Sequence, residues 1–318
     1  MEQDTHVRFD GKVAIVTGSS GGWGRGIAEE LARRGAAVCV NGRNQATVDV
    51  VVAGITQAGG RAVGVVADVS IREDVDRLVA TTIDQLGRLD IMINNPAGKV
   101  VHASVVDHTD EAWRATFATT VDSHFFGTRA AARVFLRQGT GGRVINMAAS
   151  SGVYGIADAA ATAGAKGAVL AATFSWALEL EDHGITVNAV RAGVDSPGAA
   201  GLVDRAREAM IAAGRDAPQD RRELGVWPPS EAAGLVVWLA SDEASDVTGR
   251  FIGVDGPKLA LWELASPAHT LWHEPYWDVE ALSRELPALL RSHRTQPQGI
   301  GQMNPAYNYL YGTHESQS

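Results

Sequence analysis

The chain has 318 residues, 45% of them hydrophobic, and a formal net charge of −9. That size and apolar content fit one large α/β domain with an appendage, and the acidic balance argues against nucleic acid as a partner, because phosphate binding needs a basic face. No apolar stretch reaches membrane-spanning length, and the acidic start Met1-Glu2-Gln3-Asp4 is not that of a signal peptide, so a cytoplasmic protein without membrane partners is expected.

Along the chain, apolar β-branched runs alternate with amphipathic stretches. Val13-Ala14-Ile15-Val16 reads as a buried strand, and Ile27 to Arg34 as a helix that stops at Gly35. Cys39, alone of its kind, lies in the apolar run Ala36-Ala37-Val38-Cys39-Val40 and is expected to be a buried, inert thiol. Further strands are expected over 38–41, 62–67, 91–94, 144–147, 186–190 and 251–254. Helices are expected over 44–58, 71–86, 110–137, 158–182 and 230–241. This alternation implies a Rossmann-type doubly wound α/β fold. Its parallel sheet should have about seven strands, with a ligand crevice beyond their carboxyl ends.

After Gly256 the pattern changes. Residues 257–318 hold three of the eight tryptophans and four of the five tyrosines. The chain therefore divides into an α/β domain over 8–256 and an extension over 257–318. The extension is expected to pack over the domain, or over a neighbouring subunit, through its aromatic residues. A short helix is expected from Asp278, with Val279, Leu282 and Leu286 on one face and Pro287 breaking or kinking it.

Five segments carry the chemistry. Thr17-Gly18-Ser19-Ser20-Gly21-Gly22-Trp23-Gly24 follows a strand and opens a helix. Gly18 permits a tight turn; Gly22 and Gly24 let backbone approach a pyrophosphate at the helix N-terminus. Asn94-Asn95-Pro96-Ala97-Gly98 carries a proline that removes one backbone donor. Asn146-Met147-Ala148-Ala149-Ser150-Ser151-Gly152 precedes Thr162-Ala163-Gly164-Ala165-Lys166, and Asn188 to Gly193 precedes Val194. No cluster of His, Cys or carboxylate has metal spacing.

These segments resemble the short-chain dehydrogenase/reductase family over residues 8–256. The resemblance implies a nicotinamide cofactor held by Gly18, Ser20, Gly22, Trp23, Gly24, Asp68, Val69, Asn95, Lys166, Gly193 and Val194. Gly42 stands where an acid often selects NAD, and Arg43 follows, which implies NADP(H). It also implies a homodimer or homotetramer through the helices near 110–137 and 158–182, whose Ala-rich run 159–172 would permit close packing. The proton-transfer half departs from the family: Ala149 aligns with its serine, Thr162 with its tyrosine and Thr120 with its asparagine. Alanine stands for proline at Ala192, and Pro197 or Ser196 aligns with the threonine that meets the carboxamide.

An aliphatic hydroxyl such as Thr162 is too weak an acid to replace a phenol. Among the catalytic candidates, Lys166, Tyr154, Thr162 and Ser150, the phenol of Tyr154 is the expected relocated proton donor, or else a wall of the substrate pocket. Ser151 is an adjacent donor, and His102, His124 and Asp195 could face the site. Asp158 is expected to cap the helix through Lys166. The tail around Tyr276 to Leu282 resembles extensions on members related to hydroxyacyl-CoA and steroid-type dehydrogenases, implying a bulky apolar or acyl-thioester substrate. Three functions are therefore open: an NADP(H)-dependent oxidoreductase with a non-standard site, a redox-neutral lyase, dehydratase or cyclase, and an inactive subunit that partners an active homologue.

Overall fold

The computed structural model describes residues 7–96, 100–194, 203–204, 207–208, 210–212, 214, 216–263 and 270–292. The apolar runs form eight strands: β1 (Val13–Val16), β2 (Ala37–Gly42), β3 (Arg61–Val66), β4 (Ile91–Asn94), β5 (Gly142–Met147), β6 (Ile185–Ala192), β7 (Phe251–Asp255) and β8 (Lys258–Trp262). They lie in one sheet in the order β3-β2-β1-β4-β5-β6-β7-β8. All neighbours pair in parallel except β7 and β8. Every residue of β1, β2 and β4 is buried, as expected of parallel strands covered on both faces.

Described helices are α1 (Gly22–Arg33), α2 (Gln45–Gln57), α3 (Arg72–Leu86), α4 (Asp110–Phe117), α5 (Ser123–Gln138), α6 (Ser151–Tyr154), α7 (Ala160–Leu180), α8 (Gly234–Leu239) and α9 (Val279–Ser292). Side chains of α1, α2 and α8 form the core on one face of the sheet. Those of α3, α5 and α7 form the core on the other. The doubly wound α/β fold is thus as the sequence implies. No helix among the described residues is long and apolar enough to cross a membrane.

Four differences from expectation have physical causes. The expected helix over 110–137 is α4 and α5 joined by a π-helical turn, Ala118–Asp122, a feature that often marks a functional site. The sheet gains an antiparallel eighth strand just after Gly256, whose φ of +56° makes the reversal. Asp158 does not cap α7: it adopts φ +57°, its carbonyl accepts from Ala103 N, and the N-cap position belongs to Ala159. Pro287 does not end α9, which runs on to Ser292. Pro287 and its neighbours are exposed, so water can satisfy the carbonyl that the ring leaves unpaired.

The extension is only partly packed. Trp262 lies against Phe251 at 5.1 Å between ring centroids, whereas Trp272 is 91% exposed and Tyr276 69%. Val279, Leu282 and Leu286 are exposed too. Tyr307, Tyr309, Tyr311 and the segment from Thr295 lie outside the described residues.

Candidate functional site

In this strand order the chain changes direction between β1 and β4, and the crevice there is the natural place for a dinucleotide. A buried polar lattice ties its walls together. Thr17 Oγ1 donates to Ile93 O and accepts from Asn95 N. Asn95 Nδ2 donates to Thr17 O and Gly18 O at 3.0 and 3.2 Å. Asn95 therefore shapes the glycine loop from across the switch point.

Asn41, a polar residue in the otherwise apolar β2, holds the loop from the other side. Its Oδ1 accepts from Gly18 N, and its Nδ2 donates to Val65 O and Ala67 O. Ser19 Oγ donates to Val16 O and accepts from Asn41 N. Sequence reasoning missed Asn41; the available signal was one amide inside a buried strand, which must find partners.

The loop itself suits a pyrophosphate. Gly18 and Gly22 have φ of +62° and +54°. A Cβ at Gly24 would lie 2.6 Å from Asn95 Nδ2 and 2.7 Å from Gly18 O, while one at Gly21 would meet nothing within 4 Å. Gly24 thus serves close packing and Gly21 leaves open space. No side chain caps the first turn of α1, so its N–H groups remain available to an anion. The Trp23 indole is turned inward and donates to Ala232 O at 3.0 Å; what Trp23 offers a ligand is backbone.

At the adenosine end, a Cβ at Gly42 would overlap the Ser20 hydroxyl. Ser20 occupies the space an acid would need, and Arg43 beside it is exposed. Asp68 Oδ1 accepts from Ser70 N and Ser70 Oγ, and Val69 is buried. Cys39 is fully buried, and burial pushes its thiol up to about 11, which keeps it protonated and inert at neutral pH.

At the other end, Gly152 of α6 presses on the backbone of Lys166 and Gly167, leaving no room for a Cβ. Lys166 is 6% exposed, and its Nζ donates to Met147 O at 2.5 Å. Burial lowers its pKa to about 8. Thr162 lies one helical turn earlier, half-buried, with Ala149 and Ser150 also half-buried. His124 of α5 is fully buried, with Nδ1 3.3 Å from Ser123 Oγ and Nε2 without a partner. Burial first, and then the Lys166 charge, lower its pKa to about 3, so it stays neutral. The Lys166 amine shows no reciprocal shift because His124 is already neutral when Lys166 titrates. Thr120 is buried within the π-turn.

Tyr154 keeps other company than Lys166. Its ring lies 6.1 Å from that of Trp262. Burial raises its pKa, opposed by a hydrogen bond with Ser150 and by the charge of Arg191. Arg191 forms a buried, two-pronged ion pair with Asp255 at 2.7 and 2.5 Å. Asp255 Oδ1 also accepts from Gly193 N at 2.9 Å, and Gly193 O accepts from Trp227 N. Val194 bridges to Trp227. Asp255, Arg191 and Trp227 were not foreseen, because their pairing spans distant parts of the chain. His102 is exposed. Asp195, Ser196, Pro197, Ala97 and Gly98 lie outside the described residues. Among the described residues, no group of three or more His, Cys, Asp or Glu could hold a metal ion.

The comparisons agree with this geometry. Residues 18–256 match the family model described as enoyl-(acyl carrier protein) reductase. The chain is 37% identical over 253 residues to an uncharacterised oxidoreductase of Methylorubrum extorquens, covering 78% of this chain and 98% of that protein. It is 35% identical over 275 residues to a hydroxyacyl-CoA dehydrogenase of Mycobacterium tuberculosis, covering 82% and 81%. It is 32% identical over 268 residues to a 3beta-hydroxysteroid dehydrogenase of Mediterraneibacter gnavus, covering 78% and 95%. A crystal structure of a short chain dehydrogenase from Mycobacterium avium superposes with a TM-score of 0.77 at 29% identity, covering 90% of this chain and 97% of that one. The chain belongs to the short-chain dehydrogenase/reductase family.

Proposed function

We propose that the protein is an NADP(H)-dependent oxidoreductase acting on a bulky apolar hydroxy or keto compound, acyl thioesters included. The observation that carries this reading is the glycine loop. It is held in shape by Asn41 and Asn95, its first helical turn has no side-chain cap, and Ser20 and Arg43 stand where an acid would otherwise select NAD. Gly18, Ser20, Gly22, Gly24, Arg43, Asp68, Val69, Asn95, Lys166, Gly193 and Val194 would hold the cofactor, with Trp23 contributing through its backbone. When bound, the nicotinamide supplies or accepts hydride. The substrate class rests on the aromatic wall of Tyr154, Trp262 and Phe251 and on the hydroxyacyl-CoA and hydroxysteroid dehydrogenases among the relatives. Trp262 Nε1 is buried without a partner, which adds an indole donor to the Tyr154 hydroxyl in this aromatic wall.

Assembly as a homodimer or homotetramer through α4, α5 and α7 fits the exposed apolar side chains there, Trp113, Phe125 and Leu178.

NADPH fluorescence titration should give saturable binding. Stopped-flow absorbance should then show NADPH consumed with a ketone or 3-oxoacyl-CoA from a panel of bulky substrates. Binding without consumption across that panel would reject hydride transfer and favour a redox-neutral reaction, to which the changes at Thr120, Ala149 and Thr162 point, or an inactive subunit.

A further inference from the structure

The reaction needs a proton at the substrate oxygen, and the residues around the crevice narrow its source. Ala149 has no hydrogen to donate. Thr162 carries only an alcohol, too weak an acid near neutrality. Tyr154 has an acid of the right kind, but its ring lies against Trp262, its charged neighbours are Arg191 and Asp255, and burial moves its titration upward, away from neutrality. His124 is fully buried and neutral. Lys166 remains. One of its three N–H donors is committed, to Met147 O. Thr162 and Lys166 are four residues apart and share a face of α7, so a short alcohol, and not a phenol, stands one turn before the amine.

From this arrangement we propose that Lys166 itself, rather than any phenol, is the catalytic acid that protonates the substrate oxygen, with neutral His124 as the positioning residue at its side. This rests on the oxidoreductase reading above. As hydride reaches the carbonyl carbon, the C=O π pair moves onto oxygen. A Lys166 N–H bond breaks, an O–H bond forms, and the ammonium is left as a neutral amine that solvent recharges. In the oxidative direction the neutral amine takes the hydroxyl proton.

The surroundings suit an amine that changes charge. Among the described residues, the titratable group that feels the Lys166 charge is His124 of α5. Burial is the cause of the lowered Lys166 pKa, with no carboxylate contributing among the described residues. A value of about 8 lies near the working range of an intracellular acid or base.

The test uses the full chain and has two arms. The chain has four lysines, Lys12, Lys99, Lys166 and Lys258, so lysine side-chain carbon NMR resolves each, and Lys166→Met assigns one signal by its loss. Without cofactor, the Lys166 signal should titrate near pH 8. Denaturant melts supply a second cofactor-free reading. Lys166 binds its proton less tightly folded than unfolded, so the wild type should gain stability as pH rises from about 8 to about 10.5. Lys166→Met should lack that gain.

In the kinetic arm, single-turnover reduction should fall above pH 8 in the wild type and in Tyr154→Phe alike. Lys166→Met should lose about 10²- to 10⁴-fold while calorimetry still shows NADPH bound. Titration of Lys166 at an ordinary lysine value, or loss of turnover in Tyr154→Phe with the pH break intact in Lys166→Met, would overturn the proposal. Bound NADPH with no turnover in the wild type would defeat the oxidoreductase reading instead, and the NMR titration would still decide whether Lys166 changes charge near neutrality.

Discussion

Arg191→Met is expected to destabilise the protein by about 3–5 kcal/mol, read as a lowered denaturation midpoint in urea. Arg191 and Asp255 have side-chain exposures of 8% and 7%, so neither charge has water to fall back on. Removing one partner leaves the other buried and unpaired, which is the costly case. For a domain of this size each kcal/mol shifts Tm by about 2–4 °C, so the loss is measurable by calorimetry as well. The double variant Arg191→Met/Asp255→Leu should recover most of it, because two apolar groups in place of a buried pair are often close to neutral. It should not recover cofactor binding in full. Asp255 Oδ1 also accepts from Gly193 N, and without that anchor the stretch Gly193-Val194 loses its fixed path. A double variant as unstable as the single would show that the packing of these side chains, and not their charges, holds the region.

What the sequence disclosed and what it hid divide along a physical line. Features set within one short window were legible. The buried strands announce themselves as apolar runs, and the glycine loop by the turn it needs between β1 and α1. The substituted positions Ala149 and Thr162 were visible for the same reason, since they sit at fixed offsets from Lys166. Features made by contact across the chain were not. Asn41 looks like the polar end of a strand until β3 is laid beside it. Asp255 and Arg191 lie 64 positions apart. His124 feels the charge of Lys166 only because α5 and α7 lie on the same face of the sheet. β8 escaped notice because Leu259 and Leu261 are 68% and 65% exposed: an edge strand with one open face resembles an apolar tail. Pro287 leaves α9 unbroken because the rule against interior proline weighs most when the helix is buried, and α9 is not.

Cofactor choice should turn on Arg43. Arg43→Ala is expected to weaken NADPH binding by about 10- to 100-fold and NADH binding by less than about threefold, since a hydrogen bond to a charged group is worth about 1.5–3 kcal/mol and each 1.4 kcal/mol is about tenfold. The reason lies in where the guanidinium stands. Arg43 follows β2 directly, is exposed, and has beside it Gly42, over which the Ser20 hydroxyl is folded. A 2′-phosphate at this end would meet the Arg43 cation and the Ser20 hydroxyl. The same geometry predicts how the preference reverses. Gly42→Asp alone is obstructed, because its Cβ would overlap Ser20 Oγ, so this single variant should bind both dinucleotides poorly. Ser20→Gly/Gly42→Asp clears that overlap and puts a carboxylate where the ribose hydroxyl can donate to it, so NADH should then bind more tightly than NADPH. Isothermal titration of the wild type and the three variants with both cofactors checks each step. Equal losses of NADPH and NADH affinity in Arg43→Ala would place the arginine on the pyrophosphate instead, and the preference for a phosphorylated dinucleotide would need another source.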